Sequence, residues 1–269
     1  MTQAPVAVSR SAEAAAPRPL AGRHALVTGA SHGIGAAIAR ELARLGADLT
    51  IVARQQATLH SAANALRQEG AHVRECLADV ANAEALDKLI ADTPPVQILV
   101  NNAGGAESAP FSRTDPALWQ RMLDLNLTSV YRLTHALAPA MVKSGWGRIV
   151  NVASTAGIKG YPYVSAYVAA KHGVVGLTRA LALELAASGV TVNAVCPGYT
   201  DTPMLEGAIA TIAAKTKKSH DEAKASLAGA NPMGRLVTPD EVAATVGWLC
   251  LPEASAITGQ AIAIAGGEI

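Results

Sequence analysis

From residue 23 onward the sequence repeats one unit: a short apolar run, a turn with Gly or Asp, and a longer segment with helical periodicity. The apolar runs do not alternate with polar residues, which is typical of strands covered on both faces. Strands that alternate with helices need crossover connections, and these favour a parallel sheet between two helical layers. The pattern predicts an α/β fold, a single-domain Rossmann-type doubly wound parallel sheet of about seven strands with helices on both faces.

The helical period is clearest after the first predicted strand, where Ile34, Ile38, Leu42 and Leu45 fall on one stripe. In an open parallel sheet, ligands bind beyond the carboxyl ends of the strands, near the point where strand order reverses. Functional motifs are therefore expected directly after strands. The predicted strands cover residues 24–28, 48–53, 73–78, 97–101, 148–154, 191–195 and 261–265, and further helices cover 56–68, 83–92, 118–143, 166–187 and 239–249.

Length and composition favour one domain with a large core, because 50% of the 269 residues are hydrophobic. The Ala- and Pro-rich residues 1–20 predict a disordered extension before a folded domain over 21–269. That extension has no apolar stretch suited to a signal peptide or membrane span. Cys76, Cys196 and Cys250 lack metal-ligand spacing, which indicates no metal site and a reducing, cytoplasmic location. A net charge of +1 gives no reason to expect nucleic acid or a membrane as partner.

A glycine-rich turn lies between the first predicted strand and the first predicted helix. Its sequence is Thr28-Gly29-Ala30-Ser31-His32-Gly33-Ile34-Gly35. Glycines allow unusual dihedral angles and close approach, so backbone N–H groups can meet a pyrophosphate at the helix N-terminus. A plain tight turn uses the same residues, and the position before an amphipathic helix is what favours a nucleotide site.

The spacing Thr-Gly-x-x-x-Gly-x-Gly resembles that of the short-chain dehydrogenase/reductase family, and further motifs follow in the family's order over residues 20–269. They are Asp79-Val80, Asn101-Asn102-Ala103-Gly104, Ser154, Tyr167-Val168-Ala169-Ala170-Lys171, and Pro197-Gly198 with Thr202. The pattern is most similar to 3-oxoacyl and polyketide ketoreductases and to 3-hydroxybutyrate dehydrogenases. The resemblance implies an NAD(P)-dependent oxidoreductase that transfers hydride between its cofactor and a carbonyl or secondary alcohol, and it implies a homotetramer.

The resemblance also implies a cofactor site. Asp79 and Val80 would contact adenine, Lys171 would bind the nicotinamide ribose, and Thr200 and Thr202 would receive the nicotinamide carboxamide. The expected cofactor-binding set is Gly29, Ser31, His32, Gly33, Ile34, Gly35, Arg54, Asp79, Val80, Asn101, Ala103, Gly104, Tyr167, Lys171, Pro197, Gly198, Thr200 and Thr202.

The end of the second predicted strand bears on the choice between NAD and NADP. An acidic side chain there would accept hydrogen bonds from the ribose hydroxyls, but the sequence places Arg54 at this point. A guanidinium offers a planar fork of donors matched to phosphate oxygens, so Arg54 favours NADP(H), with weak help from His32. The alternative is that Arg54 is only a solvated loop charge.

Reduction of a ketone needs an acid close to the carbonyl oxygen, and three tyrosines are candidates: Tyr161, Tyr163 and Tyr167. Only Tyr167 has a lysine four residues later, which places both side chains on one helical face. A phenol has a pKa of about 10, and catalysis near neutral pH calls for a pKa roughly three units lower, or about 4 kcal/mol. We expect the Lys171 ammonium, together with the positive nicotinamide ring of the oxidised cofactor, to lower the pKa of Tyr167.

Two further residues complete the expected catalytic group. Ser154 ends the fifth predicted strand, where its hydroxyl can hold the substrate oxygen; the neighbouring Thr155 is not the residue that family spacing selects. Asn126 matches the asparagine that in many relatives kinks its helix and holds a water in a proton relay to the lysine. The alternative for Asn126 is a polar side chain that satisfies helix backbone.

The segment over about 204–232 corresponds to the substrate lid of relatives, and it contains Lys215, Lys217, Lys218 and Lys224. These lysines form either a solvated helix face or a docking patch for an acyl carrier or for coenzyme A phosphate. Lid length and the NADP preference together favour a small carbonyl substrate of the 3-oxoacyl thioester type.

Three alternatives remain at this stage. The nearest is an NAD-dependent dehydrogenase of a small hydroxy acid or secondary alcohol, such as 3-hydroxybutyrate. A nucleotide-sensing regulator typically loses the Tyr/Lys pair, whereas Tyr167 and Lys171 are both present. A purely structural protein would explain none of the motif positions.

Overall fold

The computed structural model describes residues 18–269, in which seven parallel strands form one sheet in the order β3-β2-β1-β4-β5-β6-β7. The order reverses between β1 and β4, which lie side by side although two strands separate them in the chain. The predicted fold class is thereby confirmed. The strands are β1 His24–Thr28, β2 Asp48–Ala53, β3 Val73–Leu77, β4 Ile98–Asn101, β5 Gly147–Val152, β6 Val190–Pro197 and β7 Ala261–Ile264.

Helices cover both faces of the sheet. One core joins α1, α2 and α9 to the first face, and a second core joins α3, α5 and α6 to the other. In the described residues the helices are α1 Gly33–Arg44, α2 Gln56–Gln68, α3 Ala83–Asp92, α4 Pro116–Leu123, α5 Ser129–Ser144, α6 Ser165–Leu185, α7 Pro203–Thr216, α8 His220–Ala228 and α9 Pro239–Cys250.

Successive residues of a strand belong alternately to the two cores. Ala25 and Val27 of β1 belong to the core under α1, whereas Leu26 between them belongs to the core under α5. Successive strand side chains point to opposite faces, so a strand buried on both faces must be apolar throughout. This explains why the strands read as continuous apolar runs, and it leaves the strand ends as the place for polar chemistry.

The helix expected over 118–143 is interrupted. A π-helical segment, Asp124–Thr128, separates α4 from α5. The Asn126 side chain lies in this segment, fully buried, and donates to the carbonyls of Met122 and Gly105 at 3.0 and 2.9 Å. A π-turn often occurs at a functional site because it turns one extra residue inward.

The folded part of the chain begins before residue 21, where the domain was expected to start. Leu20 is fully buried, and its N–H donates to the carbonyl of Leu45 at 2.9 Å. The rest of the expected extension, residues 1–17, lies outside the described residues. Within residues 18–269, no helix is long and apolar enough to cross a membrane.

Candidate active site

The motifs meet at one edge of the sheet. Because all strands are parallel, the turn after β1 and the segment after β4 leave neighbouring strands at the same end. The Thr28 hydroxyl joins them, since it accepts from the N–H groups of Asn102 and Ala103, both at 3.0 Å. Ligands bind at such a reversal of strand order in doubly wound sheets.

The glycine turn is shaped for close backbone approach. Gly29 and Gly33 have φ angles of 65° and 57°, in the left-handed region that favours glycine. A Cβ on Gly35 would collide with the Gly29 carbonyl and with the Asn102 amide, and a Cβ on Gly33 would lie 3.1 Å from Thr202 Cγ2. The turn therefore fits a dinucleotide pyrophosphate, with backbone where side chains would otherwise stand.

Asn101 and Asn102 have different tasks. The Asn102 amide donates to the carbonyls of Thr28 and Gly29 at 2.8 and 3.2 Å, which ties the glycine turn to β4. The buried Asn101 amide instead donates to Asn151 Oδ1 at 2.8 Å, across the β4–β5 pair. Asn151 in turn donates to Thr178 of α6 at 2.9 Å. The Asn101 amide nitrogen is thus engaged within the sheet, whereas its buried Oδ1 has no hydrogen-bond partner within residues 18–269.

The expected catalytic residues lie together at the carboxyl end of β5. Lys171 is buried, and its ammonium donates to the carbonyl of Val152 at 2.8 Å. The same nitrogen lies 5.7 Å from the centre of the Tyr167 ring. Ser154 follows β5 two residues after Val152, and its hydroxyl accepts from the Ala156 N–H at 3.1 Å. Tyr167, Lys171 and Ser154 therefore share one site.

Burial shifts the pKa values of Tyr167 and Lys171. It raises the pKa of the Tyr167 phenol above 10.0, although contact with the Ser154 hydroxyl acts the other way. It lowers the pKa of Lys171 to about 8, against weaker opposition from Cys196. The expectation of a lowered Tyr167 pKa is therefore not met by these protein groups, because desolvation disfavours the charged form of both side chains.

Asn126 approaches the lysine from the other side. A Cβ on Gly104 would lie 2.8 Å from Asn126 Oδ1 and 3.5 Å from Lys171 Nζ, so both polar atoms border the same glycine. Asn126 Oδ1 also accepts from the Gly105 N–H at 3.1 Å. Gly104 thus leaves open the space between Asn126 and Lys171.

Residues after β2 and β3 lie at the outer part of this edge. Arg54 follows β2 directly and is exposed, and within residues 18–269 no carboxylate lies within ion-pair distance of it. His32 is exposed, and its Nδ1 lies 2.9 Å from the Ser31 hydroxyl. Asp79 is exposed and accepts from the Ala81 N–H at 3.0 Å, whereas the adjacent Val80 is buried. Arg54 is therefore free to meet an anion.

The segment after β6 closes the site from the opposite side. Pro197 ends β6, and the Gly198 N–H donates to the carbonyl of Ile264 in β7 at 3.0 Å. The buried Thr200 donates to the Gly198 carbonyl at 3.0 Å, and Thr202 caps α7 by accepting from the Leu205 N–H. Thr202 reaches Gly33, as described above, so the segment and the glycine turn face each other.

One neighbour of the site, Glu268, carries no sequence signal. Glu268 lies beside the loop that carries Ser154, and its carboxylate accepts from the Tyr161 hydroxyl at 2.5 Å. In the sequence, Tyr161 is only a candidate acid, and Glu268 belongs to no motif. Glu268 is far from the loop in sequence, so no pattern in the chain signals the contact.

Comparisons with known proteins agree with this geometry. A model of the short chain dehydrogenase family matches residues 23–213. A Streptomyces violaceoruber protein, named as a ketoacyl reductase of the granaticin polyketide synthase, is 43% identical over 249 residues, which cover 90% of this chain and 92% of the relative. The D-β-hydroxybutyrate dehydrogenase of Cupriavidus necator is 38% identical over 255 residues, which cover 93% and 99%.

A solved structure is also similar. It is a singly substituted actinorhodin polyketide ketoreductase with NADPH, which is 40% identical and has a TM-score of 0.88. The match covers 91% of this chain and 97% of that one. Similarity thus extends well beyond the stretch matched by the family model.

Proposed function

The chain belongs to the short-chain dehydrogenase/reductase family of oxidoreductases, and from this premise we propose that it is an NADP(H)-dependent ketoreductase of 3-oxoacyl thioesters. The observation that carries the proposal is the meeting of Tyr167, Lys171 and Ser154 at the sheet edge that also holds the glycine turn. The named relatives support it, since one is named as a ketoacyl reductase and one solved ketoreductase contains NADPH.

NADPH, when bound, supplies the hydride for the carbonyl carbon, and oxidation leaves a positive charge on its ring. Tyr167 donates a proton to the carbonyl oxygen. Burial raises its pKa, so the phenol holds its proton at neutral pH, and the positive charge of the oxidised cofactor ring would act in the opposite direction and lower that pKa. The Ser154 hydroxyl donates to the same oxygen and stabilises the charge that develops there.

Lys171 and Asn126 help to return a proton to Tyr167 after it has donated one. The Lys171 ammonium borders the open space at Gly104, and Asn126 Oδ1 borders it from the other side. A water between them would accept from Lys171 and donate to Asn126 Oδ1. It would return a proton to Lys171 after the lysine has passed one toward Tyr167. The π-helical turn holds Asn126 in this position, since its amide is fixed on Met122 and Gly105.

Arg54 supports NADP(H) over NAD(H). Its exposed guanidinium follows β2, where a family member specific for NAD would place an acid for the ribose hydroxyls. A phosphate on that ribose would meet the planar donors of Arg54. His32 at the start of α1 adds at most a weak further attraction.

The proposed substrate site lies under helices α7 and α8, which form most of the expected lid over 204–232. Lys224 is not available for docking, because it lies 3.5 Å from carboxylate oxygens of both Asp201 and Glu206. Lys217 and Lys218 are exposed, and they are the proposed contacts for an acyl carrier or coenzyme A phosphate. The side chain of Lys215 lies outside the described part of the chain.

A second candidate is an NAD-dependent dehydrogenase of a small hydroxy acid such as 3-hydroxybutyrate, which the Cupriavidus necator relative favours. A substrate panel with NADPH and NADH separates the two. We expect NADPH-dependent reduction of acetoacetyl-CoA and of carrier-bound 3-oxoacyl chains. Turnover of simple aryl ketones without turnover of these thioesters would refute the thioester assignment, and NADH-dependent interconversion of 3-hydroxybutyrate would favour the second candidate.

We further propose a homotetramer in the cytoplasm. The large apolar side chains of Trp119, Tyr131 and Leu183, on α4, α5 and α6, are exposed and would be covered by partner subunits. Free cysteines suit a reducing compartment. Light scattering after size-exclusion chromatography tests the tetramer, and fractionation of cells tests the location.

A further inference from the structure

Glu268 places a buried carboxylate beside the proposed active site. Its side chain is only 5% exposed. Its Oε1 accepts from the Tyr161 hydroxyl at 2.5 Å and lies 2.9 Å from the ammonium of Lys159. Tyr161 and Lys159 belong to the loop between β5 and α6, which also carries Ser154. A charge this well buried is stable only when it is paired and hydrogen-bonded, as it is here.

The hydrogen bonds around Tyr161 have a fixed direction. A phenol has one proton, and a carboxylate can only accept, so Tyr161 donates to Glu268. The 2.7 Å bond between Tyr161 and Thr155 must then have the Thr155 hydroxyl as its donor. Thr155 follows Ser154 directly in the chain. Glu268 therefore orients a hydroxyl one residue away from the group that is proposed to hold the substrate oxygen.

Glu268 also reaches the opposite wall of the site. A Cβ on Gly198 would lie 3.0 Å from Glu268 Oε2, so glycine at 198 makes room for the carboxylate. The ring of Tyr199 packs edge-on against Tyr161, with centroids 6.4 Å apart. One carboxylate thus joins the β5–α6 loop to the segment after β6.

The loop needs such support. Tyr163 has a φ angle of 68°, a left-handed conformation that disfavours side chains with a Cβ. Its carbonyl accepts from the Ala109 N–H at 2.8 Å, which holds the loop from the other direction. Strained backbone persists only where surrounding contacts fix it, and Glu268 holds two other residues of the same loop, Tyr161 and Lys159.

We propose that Glu268 is a specificity-determining positioning residue: by holding Tyr161 and Lys159, it fixes the wall of the substrate cleft beside Ser154. Its effect on selectivity rests on the proposed ketoreductase function, whereas its effect on the loop does not. A fixed wall excludes bulky acyl groups. When the β5–α6 loop is no longer fixed, bulky acyl groups can enter the cleft and small acyl groups bind less tightly.

Hydrogen exchange tests the loop without any need for turnover. Glu268→Ala removes both contacts, and Glu253→Ala is the matched control, since Glu253 is an exposed carboxylate outside the site. We expect exchange at amides of residues 155–164 to be roughly tenfold faster in Glu268→Ala, because local opening sets the rate, and unchanged in the control. Equal protection in both variants would overturn the proposal, whatever the activity.

Kinetics then test specificity. With a small and a bulky 3-oxoacyl thioester, we expect Glu268→Ala to lower the kcat/KM preference for the small one by about tenfold, mainly through KM. Tyr161→Phe should reproduce the effect, and the double variant should add little, because both substitutions break one network. Glu268→Gln keeps an acceptor for Tyr161 and should show a smaller change.

The outcomes separate the two proposals. A fall in kcat with unchanged selectivity would overturn the specificity role, because general destabilisation alone produces it. If the parent protein reduces no carbonyl compound with either cofactor, the proposed function fails. The exchange experiment still decides whether Glu268 positions the loop.

Discussion

Lys171 lies one helical turn after Tyr167, with its ammonium 5.7 Å from the centre of the phenol ring, yet it donates its hydrogen bond to the carbonyl of Val152. The lysine is thus held by β5. Its ammonium lies next to the Tyr167 ring, and its hydrogen bond goes to Val152 and not to the phenol oxygen.

Tyr167→Phe removes only the proposed acid. We expect turnover to fall by at least about 100-fold, since general acid catalysis contributes roughly that much or more. Cofactor affinity should stay close to that of the parent protein, because the aromatic ring is kept. Absorbance of NADPH measures turnover and its fluorescence measures binding. Tyr163→Phe is the control, since Tyr163 is 63% exposed; substantial activity left in Tyr167→Phe would overturn the mechanism.

Lys171→Met should change how stability depends on pH. The pKa of Lys171 falls from 10.5 to about 8 on folding, so between these values the unfolded chain binds more protons than the folded chain. The free energy of unfolding of the parent protein, relative to Lys171→Met, should therefore rise between pH 8 and 10.5, by at most about 3 kcal/mol. Urea denaturation of both proteins at about pH 7 and about pH 10 measures the difference. A flat or falling difference would contradict burial as the cause of the shift.

Arg54→Asp tests the cofactor assignment. The substitution removes a phosphate contact and introduces an acceptor for ribose hydroxyls, so we expect the kcat/KM ratio of NADPH to NADH to fall by at least about tenfold. Arg18→Asp has the same change in charge, but Arg18 packs near Gly46, which precedes β2, at the opposite end of the sheet. An unchanged preference in Arg54→Asp would refute the role of Arg54.

Gly35→Ala tests the fit of the glycine turn. The new Cβ would collide with the Gly29 carbonyl and the Asn102 amide, and both are backbone or fixed groups that have little room to move. We expect loss of measurable NADPH affinity together with a lower melting temperature. Gly176→Ala in α6 is the control, because its Cβ meets open space. That helical substitution should be neutral or stabilising by up to about 1 kcal/mol. Retained NADPH affinity in Gly35→Ala would contradict the proposed role of the glycine turn in cofactor binding.

Much of the fold could be predicted because local pattern and tertiary structure agree. The bounds of β1, β2, α2 and α3 coincide with the expected ranges, since in each case turn residues end an apolar or periodic run. The order of elements alone was enough for a parallel sheet with helices on both faces. The strand ends then indicated which motifs would meet.

Other features depend on contacts that no local pattern records. The π-helical turn at Asn126 is stabilised by its bonds to Gly105, a residue from the segment after β4. Helices α7 and α8 were expected only as a lid, although Ser219 and Glu222 form a capping box that signals the start of α8. The expected lowering of the Tyr167 pKa is not produced by the protein groups alone, because burial acts in the opposite direction and Lys171 is itself desolvated.

The contact between Glu268 and Tyr161 has a practical consequence for purification. A peptide tag fused after Ile269 would start two positions beyond Glu268, whose carboxylate joins the two walls of the cleft. Its bulk and charge would act directly on the loop that carries Ser154. Kinetic constants measured with such a tag in place would describe the fusion, and removal of the tag by a protease should change the substrate preference.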